Sequence, residues 1–143
     1  MDVQIRKIAW GAPKNIIAYH STKIGGWSDG VFASSNMSLD VGDNPKDVKK
    51  NRESIIKQLK LDSKPVFMKQ IHSATVRAAK SPSDNLVCDS CYTTIKGLPL
   101  AVLSADCLPI LISSNDGNKI GVIHAGWRGL ASGIIQKFIK ITM

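Results

Sequence analysis

Apolar positions divide this chain into β-like runs at its start, one helical period in the middle, and a series of short apolar runs in the second half. Val3 to Trp10 alternates loosely and meets Gly11, Ala12 and Pro13, turn residues that precede a second β-like run from Asn15 to His20. This pattern predicts an N-terminal hairpin. From Thr22 to Gly42, glycine, serine and asparagine dominate without any period, which predicts a long irregular stretch of the kind compact domains usually keep for function.

The clearest helix follows. Asp43 or Asn44 can cap it, Pro45 suits the first helical position, and Asp47 complements the positive end of the helix dipole. Val48, Ile55, Ile56 and Leu59 recur on one face, with Arg52 in the middle of that face. A guanidinium there must snorkel, pair with an aspartate, or reach an anionic ligand. Beyond it, strands are predicted at Val66 to His72, Thr75 to Ala79, Leu98 to Leu103, Leu108 to Ser113 and Ile120 to His124, with turns at Ser81 to Asn85 and Ser114 to Asn118. Asn115-Asp116-Gly117 is a strong hairpin signal. Gly126 to Gly129 then lead into one last helix striped by Leu130, Ile134, Ile135, Phe138 and Ile139 and running to the C-terminal residue. No repeat or linker interrupts the chain, so residues 1–143 read as a single domain.

Composition narrows the chemistry. With 143 residues and 43% hydrophobic content the chain can bury a core without a metal or disulfide, so a metal site would be functional. Glu53 is the sole glutamate, which excludes a zincin helix, an EF-hand and a paired-glutamate glycosidase. Three histidines, His20, His72 and His124, suffice for one metal ion but not for the several centres of a true multicopper oxidase. The net charge of +8 favours anionic partners such as phosphates, solubility being the plainer alternative. Lys46, Lys49, Lys50, Arg52, Lys57 and Lys60 form a denser basic stretch, yet no nucleic-acid-binding signature accompanies it, so no nucleic-acid partner is expected. The three cysteines are an odd number and the start Met-Asp-Val-Gln-Ile-Arg is no signal peptide, which together predict a cytoplasmic protein. Leu98 to Ser113, the longest apolar stretch, is broken by Asp106 and Pro109 and is too short to span a bilayer, so no membrane association is expected.

Three segments concentrate the chemistry: Lys69-Gln70-Ile71-His72, Ala105-Asp106-Cys107-Leu108-Pro109 and His124-Ala125-Gly126-Trp127-Arg128-Gly129. Each lies within or at the end of a predicted strand, where rigid positions can converge. Two imidazoles and a thiolate would make a three-ligand metal site with an open position, the layout of catalytic zinc. Taken alone, each residue reads as an ordinary core or surface group, and no local His-x-x-His repeat says otherwise. His124 to Gly129 joins strand to helix through glycines, and the fork of Arg128 together with Arg52 suits a phosphate or carboxylate; a solvent-facing arginine beside a packed Trp127 fits as well. Cys88-Asp89-Ser90-Cys91 has redox or zinc-knuckle spacing but lacks a second cysteine pair, and reads as incidental.

At these segments the chain resembles the laccase-domain family, the YfiH type once labelled multicopper polyphenol oxidoreductases. The resemblance rests on Thr22-Lys-Ile-Gly-Gly-Trp-Ser28, Ser34-Ser-Asn36, Val41-Gly-Asp43, Asn51-Arg52, Gln70-Ile-His72, Ser104-Ala-Asp-Cys-Leu-Pro109 and His124-Ala-Gly-Trp-Arg-Gly129. It implies an α+β fold of layered mixed β-sheets flanked by helices, YfiH-like or cysteine-hydrolase-like, here incomplete at its C-terminal side. It also implies a mononuclear zinc held by His72, Cys107 and His124 in a purine nucleoside phosphorylase acting on adenosine, inosine, guanosine and methylthioadenosine with phosphate, with adenosine deaminase activity besides. Arg52, Arg128, Lys23, Gln70 and Asn36 are then expected to contact nucleoside or phosphate, and Asp106 or Asp89 to transfer a proton. Lys23, Phe32 and Ser73 stand where the family usually has Arg, Tyr and Gly, and Lys23 loses the guanidinium fork. Three other functions compete with this reading. They are a metal-free cysteine hydrolase or amidase, of the kind proposed to edit peptidoglycan precursors, in which His124 or His72 activates Cys107; a copper-dependent polyphenol oxidoreductase; and an inactive binding module.

Overall fold

Ile5–Lys7 (β1) and Tyr19–Ser21 (β2) pair antiparallel, with Arg6 opposite His20, in the computed structural model, which describes residues 1–142. The predicted hairpin is thus present with shorter strands. The chain packs as two compact units, one of Met1–Gly11 with Ile17–Leu61, the other of Ala12–Ile16 with the chain from Asp62 onward.

In the first unit the stretch after β2 is irregular, as expected, apart from a 3-10 turn at Gly30–Phe32 and an isolated bridge between Ser28 and Ser34. Helix α1 spans Pro45–Gln58; the side chain of Asn44 accepts from the Lys46 amide as its N-cap, and Pro45 begins it. Its buried face differs from the apolar stripe that periodicity predicts. Val48 is enclosed, but Ile55, Ile56 and Leu59 are only half-buried, and Asn51, Arg52 and Ser54 are the more deeply buried residues. The reason is hydrogen bonding to the irregular stretch and the N-terminus. Asn51 accepts from the Trp27 amide at 2.8 Å and donates to Ser28 Oγ at 2.9 Å and Asn36 O at 2.8 Å. Ser54 Oγ accepts from the Val3 amide at 3.1 Å.

The second unit is layered. Val66–Lys69 (β3), Ser83–Val87 (β5) and Leu100–Ala101 (β7) make a parallel three-stranded sheet in the order β5-β3-β7. Val76–Ala78 (β4), Ser90–Thr93 (β6), Leu108–Ser113 (β8) and Ile120–Ala125 (β9) make a mixed sheet in the order β4-β6-β9-β8. β9 is interior and buried on both faces, so its successive residues serve different layers. Val122 packs with Val66, Met68, Cys88, Cys91 and Leu98, whereas Ile123 and Ala125 pack with Ile134 and Phe138. The fold is therefore α+β, with helices flanking layered sheets, as the resemblance implies.

Two expectations are corrected here. Ser81 to Asn85 was expected to be a turn, but Ser83–Val87 is a strand; its polar residues sit on an edge, and backbone pairing with β3 supplies the order that a local pattern does not. The last helix is two, Trp127–Ala131 (α2) and Ile134–Thr142 (α3), interrupted at Gly133, whose φ of 78° no helix accommodates. Ile134 and Phe138 are buried while Leu130 and Ile139 are exposed.

Candidate metal centre

The register of the β8–β9 hairpin assembles the site. Pro109 lies opposite His124 and Leu108 opposite Ala125, which brings Cys107, one residue before β8, across from Gly126. An added Cβ at Gly126 would stand 3.1 Å from Cys107 Sγ and 3.3 Å from His72 Cδ2, so the bare backbone of Gly126 forms one wall of the cluster. His124 alternates onto the same face of β9 as Val122, toward the layer containing β3, and His72 lies in the loop just after β3.

His72, Cys107 and His124 converge so that one ligand atom from each lies within 4.8 Å of the others; among the described residues this is the cluster of metal-ligating side chains. The rings of His72 and His124 meet edge to face with centroids 5.0 Å apart. His124 is buried, Cys107 half-buried and His72 exposed, so the cluster opens to solvent on the His72 side. Two imidazoles and one thiol match the donor set of a three-ligand zinc site, and equally of a His2Cys copper site.

Asp89 stands behind the cluster, 0% exposed at the bend between β5 and β6. His124 Nδ1 lies 2.8 Å from its Oδ2, and the backbone amides of Ile71, His72 and Ser73 all donate to its carboxylate. Burial works to raise its pKa, but the His124 bond and the Ser73 and Ile71 donors outweigh burial and hold the carboxyl below the ordinary aspartate range.

Gln70, expected at a ligand, spends both ends of its amide on one residue: Nε2 donates to Leu103 O at 2.7 Å, and Leu103 N donates to Oε1 at 2.8 Å. It thereby ties the end of β3 to the loop that delivers Cys107, a loop further closed by Ser104 Oγ donating to Cys107 O. Asp106 is exposed beside Cys107, and Arg128 is exposed in α2 with its guanidinium 4.7 Å above the Trp127 ring. Trp127 is 72% exposed, not packed. Lys23, Asn36 and Arg52 belong to the other unit. Lys23 is exposed there; Asn36 donates to Ser38 O and Asp43 Oδ2; and Arg52 is buried with Nε donating to Met37 O at 2.8 Å.

Cys88 and Cys91 lie wholly in the apolar core, as an incidental pair would. A hydrogen bond between the two thiols lowers the pKa of Cys88, and together with burial raises that of Cys91. What sequence reasoning underrated is Asp89, considered only as a proton carrier; its partners lie 16 to 35 residues away, beyond any local motif.

The family described as multi-copper polyphenol oxidoreductase laccase matches residues 17–143. A purine nucleoside phosphorylase of Haemophilus influenzae is 38% identical over 131 residues, covering 92% of this chain and 54% of that protein. The purine nucleoside phosphorylase YfiH of Escherichia coli is 37% identical over 132 residues, with the same coverage of each. Among solved structures, a Neisseria meningitidis protein of the DUF152 family superposes with a TM-score of 0.84 at 35% identity, over 96% of this chain and 56% of that one. YlmD of Geobacillus stearothermophilus gives 0.77 at 34% identity, over 85% and 49%. The chain thus spans about half the length of the relatives it matches. With that match running unbroken through the segments that carry His72, Cys107 and His124, the chain belongs to the multi-copper polyphenol oxidoreductase laccase family.

Proposed function

We propose that this chain carries the metal centre of a zinc-dependent purine nucleoside phosphorylase that converts adenosine, inosine, guanosine or methylthioadenosine and phosphate to free base and pentose 1-phosphate, with adenosine deaminase activity besides. The observation that carries this reading is the convergence of His72, Cys107 and His124 on one open-sided point. The relatives named purine nucleoside phosphorylase support the substrate class. The unbroken match over residues 17–143 supports one laccase-type domain spanning both compact units. No helix among the described residues is long and apolar enough to cross a membrane. A cytoplasmic setting accords with three cysteines that are all free.

His72, Cys107 and His124 would hold the zinc, which when bound supplies Lewis-acid polarisation at its open position. In phosphorolysis a phosphate oxygen bonds to the anomeric carbon as the carbon–nitrogen bond to the base breaks, and the base takes up a proton. The protein's part is to place the two reactants and offset charge. Arg128, exposed two residues beyond Gly126, offers a guanidinium to phosphate, whereas Arg52 and Lys23 belong to the other unit and are given no contact at this cluster. Asp106, exposed and next to Cys107 in the chain, carries in this reading the carboxyl group that passes a proton to the leaving base. Gln70 and Asn36 act by holding their loops.

The test is elemental analysis of the purified protein and of Cys107→Ala, followed by assays for base and pentose 1-phosphate. About one zinc per chain that the variant lacks, with both products formed, is expected. Metallated protein that leaves nucleoside and phosphate unchanged refutes the activity. A second reading draws on the His124–Asp89 contact, which completes a Cys-His-Asp arrangement suited to a metal-free cysteine hydrolase with Cys107 as nucleophile. Rapid iodoacetamide labelling of Cys107 in zinc-free protein as purified favours that reading, and tightly bound zinc opposes it.

A further inference from the structure

Five hydrogen-bonding groups converge on the two oxygens of Asp89. Oδ1 accepts from Ile71 N at 3.1 Å, Ser73 N at 2.9 Å and Ser73 Oγ at 2.8 Å, while Oδ2 accepts from His72 N at 2.9 Å and faces His124 Nδ1 at 2.8 Å. An ionised carboxylate offers about four lone-pair sites. All are engaged, and the group is wholly enclosed, so Asp89 has no capacity left to exchange a proton with a substrate. Its geometry serves another purpose. His72 sits at φ 60°, in the left-handed region that residues other than glycine seldom occupy, and it does so at the middle of the three consecutive amides that Asp89 gathers.

We infer that Asp89 is a positioning residue that sets both imidazoles of the candidate metal centre at once. Through Oδ2 it fixes the proton of His124 on Nδ1 and leaves the Nε2 lone pair for a ligand; through the amides of residues 71–73 it holds the backbone turn that presents His72. This rests on the metal reading of the cluster. An acceptor-only group serves both tasks, since the four contacts from residues 71–73 all donate and an ionised carboxylate can only accept from His124 Nδ1. Asparagine, nearly the same size, brings an NH2 group that donates. Turned toward His124, it forces the ring to accept at Nδ1 and carry its proton on Nε2, where the metal must bind; turned the other way, it faces the backbone N–H groups.

The experiment has two arms. In the first, 15N NMR of the imidazoles in metal-free wild-type protein at about pH 8, above the ordinary imidazole pKa of about 6.5, is expected to show His124 protonated on Nδ1 alone. A Nε2-protonated or rapidly averaged ring overturns the inference, and this arm needs no variant to fold. In the second, zinc affinity is measured by chelator competition for wild type and Asp89→Asn. The variant is expected to bind about 10- to 100-fold more weakly, with its His124 signals moved toward the Nε2-protonated pattern. Equal affinity with unchanged signals overturns the inference while leaving the metal reading intact. Wild-type protein that fails to bind zinc sinks the metal reading instead, and the first arm still decides whether Asp89 sets the tautomer.

Discussion

Gly126→Ala is the substitution that tests the metal centre most directly. The backbone at Gly126 has φ −78° and ψ 172°, extended values that alanine adopts without strain, so any effect on the cluster comes from the added methyl alone. That methyl would lie 3.1 Å from Cys107 Sγ, 3.3 Å from His72 Cδ2 and 4.0 Å from Cys107 Cβ. Non-bonded heavy atoms rest about 3.5–4.0 Å apart, so the sulfur must retreat by roughly 0.4 Å or more. Metal–ligand distances tolerate about 0.2 Å. Overpacking of this kind costs about 1–3 kcal/mol, or roughly 5- to 150-fold in metal affinity if it falls on the bound state. Gly126 is also the N-cap of α2, where alanine is disfavoured, so some loss of intrinsic stability, about 1 kcal/mol at most, accompanies the change. Thermal unfolding of the metal-free protein reads that second effect, and chelator competition with zinc reads the first. Weakened zinc binding beyond the metal-free loss of stability is expected. Unchanged zinc affinity would refute the argument that the Gly126 backbone walls the site.

Elsewhere, Gly121→Ala would place a methyl 2.2 Å from Cζ of the buried Phe138 ring, and urea denaturation is expected to show a loss of about 1–3 kcal/mol; no measurable loss contradicts the packing of α3 on β9. Gln70→Ala removes two hydrogen bonds to Leu103, each contributing about 1 kcal/mol, and should speed amide exchange at Leu103 and alkylation of Cys107 in metal-free protein. Gln70→Glu, which keeps the acceptor, should fall between, and identical exchange in all three proteins would discard the clamp. Asp43 accepts from Ser28 Oγ at 2.6 Å, and this bond, with those from Asn36 and the Asn44 amide, holds its carboxyl below the ordinary range against the opposing effect of burial. The folded pKa being the lower one, its stabilisation is complete above the unfolded value of about 3.9 and is lost as pH falls through the folded value. Asp43→Asn should therefore flatten the acid limb of stability against pH, and an unaltered limb would show that Asp43 contributes nothing there.

How much of this was legible depends on the distance over which each feature is encoded. β8 was foreseen at its observed bounds, Leu108–Ser113, and α1 with its proline and a cap at Asp43 or Asn44, of which Asn44 is the one used, because both elements are written in contiguous residues. β5 was not: Ser83, Asp84 and Asn85 carry turn chemistry, and only pairing with β3 makes them a strand. The three ligand-bearing segments stood out as residue types at strand ends, yet their convergence depends on the β8–β9 register and on Asp89, which reaches 35 residues to His124. Gln70 and Asn36 invited a ligand because they are polar residues in distinctive motifs, and only three dimensions reveal that their amides already have backbone and side-chain partners. For Arg52, its place within an apolar face left snorkelling, an aspartate or an anionic ligand open; it is buried, with Nε donating to the Met37 carbonyl, a partner no local pattern names.

The polar underside of α1 has a thermodynamic consequence. Exposing apolar surface raises the heat capacity on unfolding, whereas exposing polar surface lowers it. A helix seated through Asn51, Arg52 and Ser54 should therefore contribute less to that increment than α3, which is seated through Ile134 and Phe138. The stability curve of the first unit should then be the flatter of the two. Cooling, which weakens apolar burial, should leave the contacts of α1 comparatively intact while loosening those of α3.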